Sequence, residues 1–166
     1  YEVVNKIKKI NKNISIISHK KNYGQSIGLL TGIIEANSEY ILTLDGDGQN
    51  DPADIPALYG ALKDAPNMDY LLITGNRTKR QDTWIKRFSS KIANKVRSGL
   101  LGDDTPDTGC GLKVFTRAAF LDMPRFDHMH RFLPALMIRQ GGSVISLKVN
   151  HRPRECGKSI YSTLDR

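Results

Sequence analysis

Cysteine and long apolar runs are both scarce in this chain of 166 residues. The two cysteines, Cys110 and Cys156, form no C-x-x-C pair and lack metal-ligand spacing, which argues against a disulfide scaffold or a structural zinc site. No apolar run approaches the roughly 20 residues that span a bilayer. We therefore expect one soluble domain, residues 1–166, in a reducing cytoplasmic compartment. Free thiols are expected there, and a single disulfide is the alternative.

Acidic residues are outnumbered, with 17 Asp and Glu against 25 Lys and Arg, a net charge of +8 and a pI of about 9.6. Such an excess favours an anionic partner, which could be nucleic acid, a phosphorylated ligand or an anionic membrane surface. Aromatic residues make up only 7% and are not interleaved with the basic ones as in a nucleic-acid stacking platform. A basic nucleic-acid-binding module is therefore the less favoured alternative.

Apolar periodicity predicts alternating helices and strands along the chain. Helical spacing of Val3, Val4, Ile7 and Ile10 opens the pattern. Helices are also predicted at 26–37, 52–62, 82–99 and 130–140, and strands at 14–17, 40–44, 69–74, 112–115 and 144–149. This alternation predicts an α/β fold with a mostly parallel sheet and helices on its faces. Because the chain begins inside a helix with no strand before it, we expect a piece of a longer protein.

The predicted helix 82–99 has two open interpretations. Trp84, Phe88, Ile92 and Val96 recur at four-residue steps, and no acidic residue occurs from Trp84 through Leu101. The apolar stripe is typical of a helix that packs on a core. A basic amphipathic helix also suits the interface of an anionic membrane.

The stretch Leu44-Asp-Gly-Asp-Gly-Gln-Asn-Asp-Pro52 gathers three carboxylates after a predicted strand. A calcium loop is excluded, because Asn50 and Pro56 stand where that loop needs glycine and a bidentate glutamate, and because a strand precedes it. Asp51 before Pro52 predicts a helix N-cap. Asp45 and Asp47 remain, and two such carboxylates at the carboxyl end of a strand predict a site for a divalent cation that phosphate oxygens complete.

At this point the chain resembles the inverting family-2 glycosyltransferases, and among them the polyprenyl-phosphate glycosyltransferases typified by dolichyl-phosphate mannose synthase. The motifs that carry the resemblance occur in order: Asn22-Tyr-Gly24 with Gly28, Leu44-Asp-Gly-Asp-Gly-Gln49 with Asp51-Pro52, Gly75-Asn-Arg77, Ser90-Lys-Ile-Ala-Asn94, Asp107-Thr-Gly-Cys-Gly111, His130-Arg-Phe-Leu-Pro134 and Arg154-x-x-Gly157-x-Ser159. The resemblance implies a GT-A-type α/β/α fold. The first strand and an acidic turn that read the nucleotide base in that family are absent here.

The resemblance implies transfer of a hexose, with inversion, from a nucleotide diphosphate sugar of the GDP-mannose or UDP-glucose type to a dolichyl or undecaprenyl phosphate. It also implies contact with the cytoplasmic face of an anionic membrane and no nucleic-acid partner. A family-2 transferase that acts on a saccharide or protein hydroxyl is the runner-up.

The resemblance further assigns site residues by motif. It implies Mg²⁺ or Mn²⁺ on Asp45, Asp47 and Gln49, donor phosphates on Arg154 and Lys158, an acceptor phosphate among Arg77, Lys86, Arg87, Ser90 and Arg131, the nucleotide on Asn22 and Gly24, and Asp107 at the position of the catalytic carboxylate. For Asp107, positioning is as plausible physically as proton abstraction, because a phosphate monoester is already anionic near neutral pH. Without the resemblance, Asp107 and the Asn22–Gly24 segment read equally well as turns. His130 and His151 are more often core or hydrogen-bonded histidines than ligands, with His151 near the metal as the alternative.

Overall fold

The computed structural model describes residues 2–77, 102 and 104–153, which form a central sheet covered by helices. The elements in chain order are α1 (Glu2–Ile10), α2 (Gln25–Glu35), β1 (Tyr40–Thr43), a 3-10 turn (Pro52–Asp54), α3 (Ile55–Lys63), β2 (Leu71–Arg77), β3 (Lys113–Thr116), α4 (Arg117–Leu121), a second 3-10 turn (Met129–Arg131), α5 (Leu133–Arg139) and β4 (Ser143–Val149). The α/β class predicted from the alternating pattern is confirmed.

The four strands in the described part of the chain pair in the order β1-β3-β2-β4. β3 is antiparallel to both β1 and β2, whereas β2 and β4 are parallel. Three strands therefore point in one direction and β3 points in the other. The expected mostly parallel sheet is corrected to a mixed one. The sequence did not reveal this, because a strand buried on both faces, as β3 is, has the same apolar pattern in either direction.

Alternating side chains along β2 and β3 divide the core into two layers, since neighbouring residues of a strand face opposite sides of the sheet. Helices α2, α4 and α5 contribute to one layer and α3 to the other. The first layer includes Ile33, Leu72, Phe115, Phe120 and Met137, and the second includes Leu58, Leu62, Leu71, Ile73 and Val114. Packing on both faces fixes β2 and β3, and with them the loops at their ends.

Several element boundaries differ from the sequence prediction. The strand predicted at 14–17 is wrong: these residues have no regular structure, and Ile17 is 48% exposed. These β-branched residues pair with none of the described strands. Their preference for a strand depends on packing against a neighbouring strand. The helix predicted from Pro52 opens as a 3-10 turn, and the short helix α4 was not predicted. The segment 82–99, predicted to be a helix, lies outside the described residues.

None of the helices in the described residues has the length and apolar character required to cross a bilayer.

Candidate active site

The candidate site lies where β1 and β2 end. β1 ends at Thr43, two residues before Asp45, and β2 ends at Arg77. β3 is antiparallel to both and begins at Lys113, which pairs with Thr43 and with a residue of β2. The loop that precedes β3 therefore lies at the same edge of the sheet. Antiparallel pairing thus brings Asp107, on that loop, to the ends of two other strands.

Asp107 and Arg77 form a buried, two-pronged ion pair. Arg77 Nε donates to Asp107 Oδ2 at 2.7 Å, and Nη2 donates to Oδ1 at 2.8 Å. The Arg77 backbone N–H also donates to Oδ2 at 3.3 Å. The two side chains are only 12% and 8% exposed. Burial alone would lower the pKa of Arg77, but the hydrogen bonds and charge of Asp107 outweigh it and raise that pKa. Both carboxylate oxygens are thus engaged by the guanidinium.

The Asp45 carboxylate packs against Gly111. A Cβ atom at Gly111 would collide with this carboxylate, so the position accepts no larger residue without displacing Asp45. Gln25 Nε2, at the start of α2, donates to Asp45 Oδ1 at 3.3 Å. Thr43 Oγ1 donates to the Gly111 carbonyl oxygen at 2.6 Å. Asp45 is therefore held between α2 and the loop that also carries Asp107.

Asp47 and Gln49 lie in a tight turn after Asp45. Asp47 Oδ1 accepts a hydrogen bond from the Gln49 backbone N–H at 3.1 Å. Gly48, between them, has a φ of 76°, a conformation that favours glycine. Asp45 N–H donates to Asn50 Oδ1 at 3.1 Å, which closes the turn from the other side. The turn therefore carries the Asp45, Asp47 and Gln49 side chains on one short segment.

Asp51 caps the following 3-10 turn, as predicted for an N-cap. Its Oδ1 accepts from Ala53 N–H at 3.0 Å and from Arg152 Nη2 at 2.6 Å. The hydrogen bond from Ala53, followed by the bond and charge of Arg152, lowers the pKa of Asp51. The capping role assigned to Asp51 is confirmed, and this leaves Asp45 and Asp47 for another task.

Residues 150–152, which follow β4, are hydrogen-bonded to this turn and to the 3-10 turn after it. Asn50 and His151 form an isolated antiparallel bridge, and Arg152 N–H donates to the Gln49 carbonyl oxygen at 2.9 Å. Asn150 gives two hydrogen bonds to the Asp54 carboxylate, at 2.7 and 2.9 Å. The Gln49 side-chain nitrogen lies 3.3 Å from His151 Nε2. His151 is thus beside the acidic turn of residues 45–51, in hydrogen-bonding contact with Gln49.

The turn that carries Asp45, Asp47 and Gln49 offers oxygen donors for a metal ion. Among residues 2–77, 102 and 104–153 there is no group of three or more His, Cys, Asp or Glu side chains placed to hold a metal ion. Asp45, Asp47 and Gln49 supply two carboxylates and one amide oxygen. Hard oxygen donors in this number suit Mg²⁺ or Mn²⁺ that completes its shell with water or phosphate oxygens. The donor set fits such an ion.

Asn22 and Gly24 form the turn that enters α2. Asn22 Oδ1 accepts from Gly24 N–H at 2.8 Å, and Gly24 has a φ of 84°. Gly24 is the N-cap of α2 and contributes no side-chain cap. Both residues line an open groove together with His19, Lys21 and Tyr23. The turn expected from the simpler interpretation is present, and it borders a groove accessible to a ligand.

Ser26 and His130 join the start of α2 to the second 3-10 turn. Ser26 Oγ lies 2.8 Å from His130 Nδ1 and is buried. Burial, with smaller effects from Arg131, Lys113 and His128, lowers the pKa of His130 to about 4. His130 is therefore a neutral, hydrogen-bonded histidine near pH 7, as predicted. Its neighbour Arg131 is half-buried in the same turn.

The remaining predicted site residues lie outside the described residues. They are Lys86, Arg87, Ser90, Arg154 and Lys158.

Sequence reasoning missed three contributors to this site. Lys113 donates to the carbonyl oxygens of Thr108 and Cys110 in the loop that carries Asp107. A lysine inside the apolar run Leu112-Lys-Val-Phe115 was a visible signal, because an unpaired charge is costly in a buried strand. The contacts of Ser26 and Gly111 had no comparable signal, since each depends on a residue distant in sequence. Cys110 is buried, as expected of a packing residue.

Comparisons with known proteins give one family match and two similar curated proteins. The model of Glycosyl transferase family 2 matches residues 1–123. Undecaprenyl-phosphate 4-deoxy-4-formamido-L-arabinose transferase of Proteus mirabilis (strain HI4320) is 32% identical over 154 residues, covering 93% of this chain and 46% of that protein. Dodecaprenyl-phosphate galacturonate synthase of Rhizobium johnstonii is 31% identical over 151 residues, covering 89% and 44%. The chain thus spans somewhat under half the length of these relatives.

Two solved structures share the fold. A mycobacterial protein superposes with a TM-score of 0.57 at 18% identity. The match covers 89% of this chain and 49% of the mycobacterial chain. Glucosyl-3-phosphoglycerate synthase from Mycobacterium tuberculosis, in complex with uridine diphosphate, superposes with a TM-score of 0.54 at 16% identity, covering 89% and 52%. At these identities the likeness establishes the GT-A-like fold alone.

Proposed function

Because the chain belongs to glycosyl transferase family 2, we propose that it takes part in inverting transfer of a hexose from a nucleotide diphosphate sugar to a polyprenyl phosphate. The observation that carries the proposal is the buried Arg77–Asp107 pair at the end of β2, within electrostatic reach of Asp45, which follows the end of β1. The curated relatives, by name, act on undecaprenyl and dodecaprenyl phosphate. Their names support a lipid phosphate as the acceptor.

The pair favours a phosphate acceptor because such an acceptor needs no strong base. A phosphate monoester is anionic at neutral pH, whereas a hydroxyl acceptor must lose a proton as it attacks. Asp107 presents both oxygens to Arg77. In this role the carboxylate fixes the guanidinium, which uses Nε and Nη2 in the pair and directs Nη1 to an acceptor oxygen. Asp107 is therefore proposed as a positioning carboxylate.

On the donor side, Asp45, Asp47 and Gln49 would hold Mg²⁺ or Mn²⁺. When bound, the cation would supply positive charge to the diphosphate that leaves with growing negative charge. Gln25 and Gly111 keep the Asp45 carboxylate in one place for that task. Asn22 and Gly24 are proposed to contact the nucleotide, because they border the groove at the start of α2.

Other basic residues are proposed to complete the two phosphate sites. Arg131 is assigned to the acceptor phosphate, and the Ser26–His130 contact places its turn beside the start of α2. Lys86, Arg87 and Ser90 are assigned to the same phosphate, and Arg154 and Lys158 to the donor phosphates, by the family motifs. We place the protein at the cytoplasmic face of a membrane, because its proposed acceptor is a membrane lipid and its charge is +8.

A direct transfer assay tests the proposal. Full-length protein would be incubated with GDP-mannose, UDP-glucose and related labelled donors, Mg²⁺ or Mn²⁺, and either polyprenyl phosphate or the matched polyprenol. We expect label in lipid only with the phosphate and only with a divalent cation. Transfer to a saccharide or protein hydroxyl, and to no polyprenyl phosphate with any donor, would refute it in favour of the runner-up acceptor class.

A further inference from the structure

Lys113 is a buried lysine at the start of β3, a strand that lies between β1 and β2. It is the first residue of β3, pairs with Thr43 of β1 and Thr74 of β2, and is 5% exposed. An ammonium group in such a place loses its hydration and lowers the stability of the fold unless partners replace the water. The hydrogen-bond acceptors around this ammonium group therefore decide whether its burial is tolerated.

Among the residues that the structure describes, the hydrogen-bond acceptors of the Lys113 ammonium lie in the loop that carries Asp107. Nζ donates to the carbonyl oxygen of Thr108 at 3.2 Å and to that of Cys110. Burial lowers the pKa of Lys113, while the nearby Asp107 and Asp45 carboxylates act in the opposite sense. The ammonium thus lies beneath the loop that carries Asp107 and within electrostatic reach of the carboxylate proposed to bind the cation.

We infer that Lys113 is a positioning residue for the proposed transfer reaction, because it fixes the backbone between Asp107 and Gly111. Two hydrogen bonds to alternate carbonyl oxygens hold that segment in one conformation. The conformation has two consequences at the site: Asp107 meets Arg77 with both oxygens, and Gly111 leaves room for the Asp45 carboxylate. One ammonium therefore aligns the groups proposed for the acceptor and for the cation. This inference rests on the proposed function.

A purely structural lysine makes a different prediction. If Lys113 only filled space, Lys113→Met would keep the length and apolar stem of the side chain while it removed a buried charge. Loss of the ammonium removes its desolvation cost but leaves the carbonyl oxygens of Thr108 and Cys110 without this donor, so the net change in stability should be small. Activity would then remain as well. If Lys113 is a positioning residue, Lys113→Met should instead keep its stability and lose activity, because the site residues are no longer aligned.

The experiment compares full-length wild type, Lys113→Met, Lys113→Gln and the control Lys148→Met. Lys148 is an exposed lysine of β4 in the same sheet. Lys113→Gln keeps one donor for a carbonyl oxygen. Thermal unfolding, amide hydrogen exchange by mass spectrometry, and kcat and KM for polyprenyl phosphate would be measured with Mg²⁺ and the active donor.

For Lys113→Met we expect an unfolding temperature within a few degrees of that of the wild type, because the lost hydrogen bonds and the removed desolvation cost oppose each other. Exchange within 104–112 should accelerate about tenfold, with the rest of the sheet unchanged. The kcat should fall about tenfold or more, whereas the KM for polyprenyl phosphate should change much less. The charges that attract the acceptor remain, but they are misaligned for the reaction. Lys113→Gln should fall between Lys113→Met and wild type, and Lys148→Met should match wild type.

Three results would overturn the inference. They are unchanged exchange within 104–112, uniformly faster exchange across the sheet, and a loosened loop with unchanged kcat. A wild type that transfers sugar to no polyprenyl phosphate would refute the proposed function instead. The exchange comparison would still decide whether Lys113 orders the loop.

Discussion

Replacing Asp107 by asparagine should destabilise the protein, because it leaves the buried Arg77 guanidinium without its counter-charge. Removing one member of a buried ion pair costs about 3–5 kcal/mol. Asparagine keeps the shape and one acceptor oxygen, so we expect about 3 kcal/mol. For a domain of this size each kcal/mol shifts Tm by about 2–4 °C, which gives a decrease of about 6–12 °C. Differential scanning calorimetry measures it.

A double-mutant cycle isolates the pair. Arg77→Met should also destabilise, but the double variant should lose less than the sum of the two single losses, because no uncompensated charge remains. Asp122→Asn is the matched control. Asp122 is an exposed carboxylate that accepts one hydrogen bond from Tyr70 Oη at 2.7 Å, and its replacement should cost at most about 1 kcal/mol.

The same variants separate a positioning carboxylate from a general base. If Asp107 orients Arg77, then Asp107→Asn and Arg77→Met should lower kcat/KM for polyprenyl phosphate to a similar extent. The double variant should be little worse than either, as expected of groups that act together. An inactive Asp107→Asn beside a nearly wild-type Arg77→Met would refute this reasoning. So would an Asp107→Asn protein that unfolds at the wild-type temperature.

Three further perturbations address the rest of the site. Asp45→Ala or Asp47→Ala should abolish Mg²⁺-dependent transfer while it shifts Tm by only a few degrees, and equal loss of both properties would contradict a metal role. Gly111→Ala should weaken Mg²⁺ affinity about tenfold by displacing the Asp45 carboxylate, as titration calorimetry would detect. The control is Gly60→Ala, in open space on α3, which should stabilise the fold by about 0.5–1 kcal/mol. The folded protein holds His130 neutral down to a pKa of about 4, below its ordinary 6.5, so protons favour the unfolded chain between those values. Stability should therefore fall as pH decreases from 6.5 to 4, and denaturation of His130→Gln should lack that part of the pH dependence.

Local chemistry made part of the site predictable from the sequence. Proline after Asp51 identified the cap, and that assignment left Asp45 and Asp47 as the unexplained pair at a strand end. These deductions needed only neighbours in the chain. The cap is present as predicted, whereas the cation role of Asp45 and Asp47 stays a prediction.

The direction of β3 could not be deduced in the same way. In a parallel strand the residues near the site follow the strand, yet Asp107 precedes β3. A parallel β3 would have carried it to the opposite edge of the sheet. Only the antiparallel pairing seen in the structure places it against Arg77. The motif resemblance named both residues but assigned them separate roles, and their direct contact is a property of the tertiary structure.

The strand predicted at 14–17 failed for a related reason. Isoleucines favour a sheet only where a neighbouring strand accepts their hydrogen bonds and packs on them. The apolar pattern indicates that the segment favours a β-strand, but it gives no information about whether a neighbouring strand is present. Lys113 is the converse case: a lysine in a buried apolar run is unfavourable by itself, and the carbonyl oxygens of the preceding loop make it tolerable by accepting its hydrogen bonds.

The hydrogen bonds between residues 150–152 and the acidic turn with its following 3-10 turn affect the order of folding. The hydrogen bond from Arg152 to Asp51 joins residues 101 positions apart in sequence, and that from Asn150 to Asp54 joins residues 96 apart. Closing so long a loop carries an entropic cost that earlier contacts must first reduce. Pairing of β4 with β2 brings these ends together. The acidic turn should therefore reach its final form late, after the sheet has assembled.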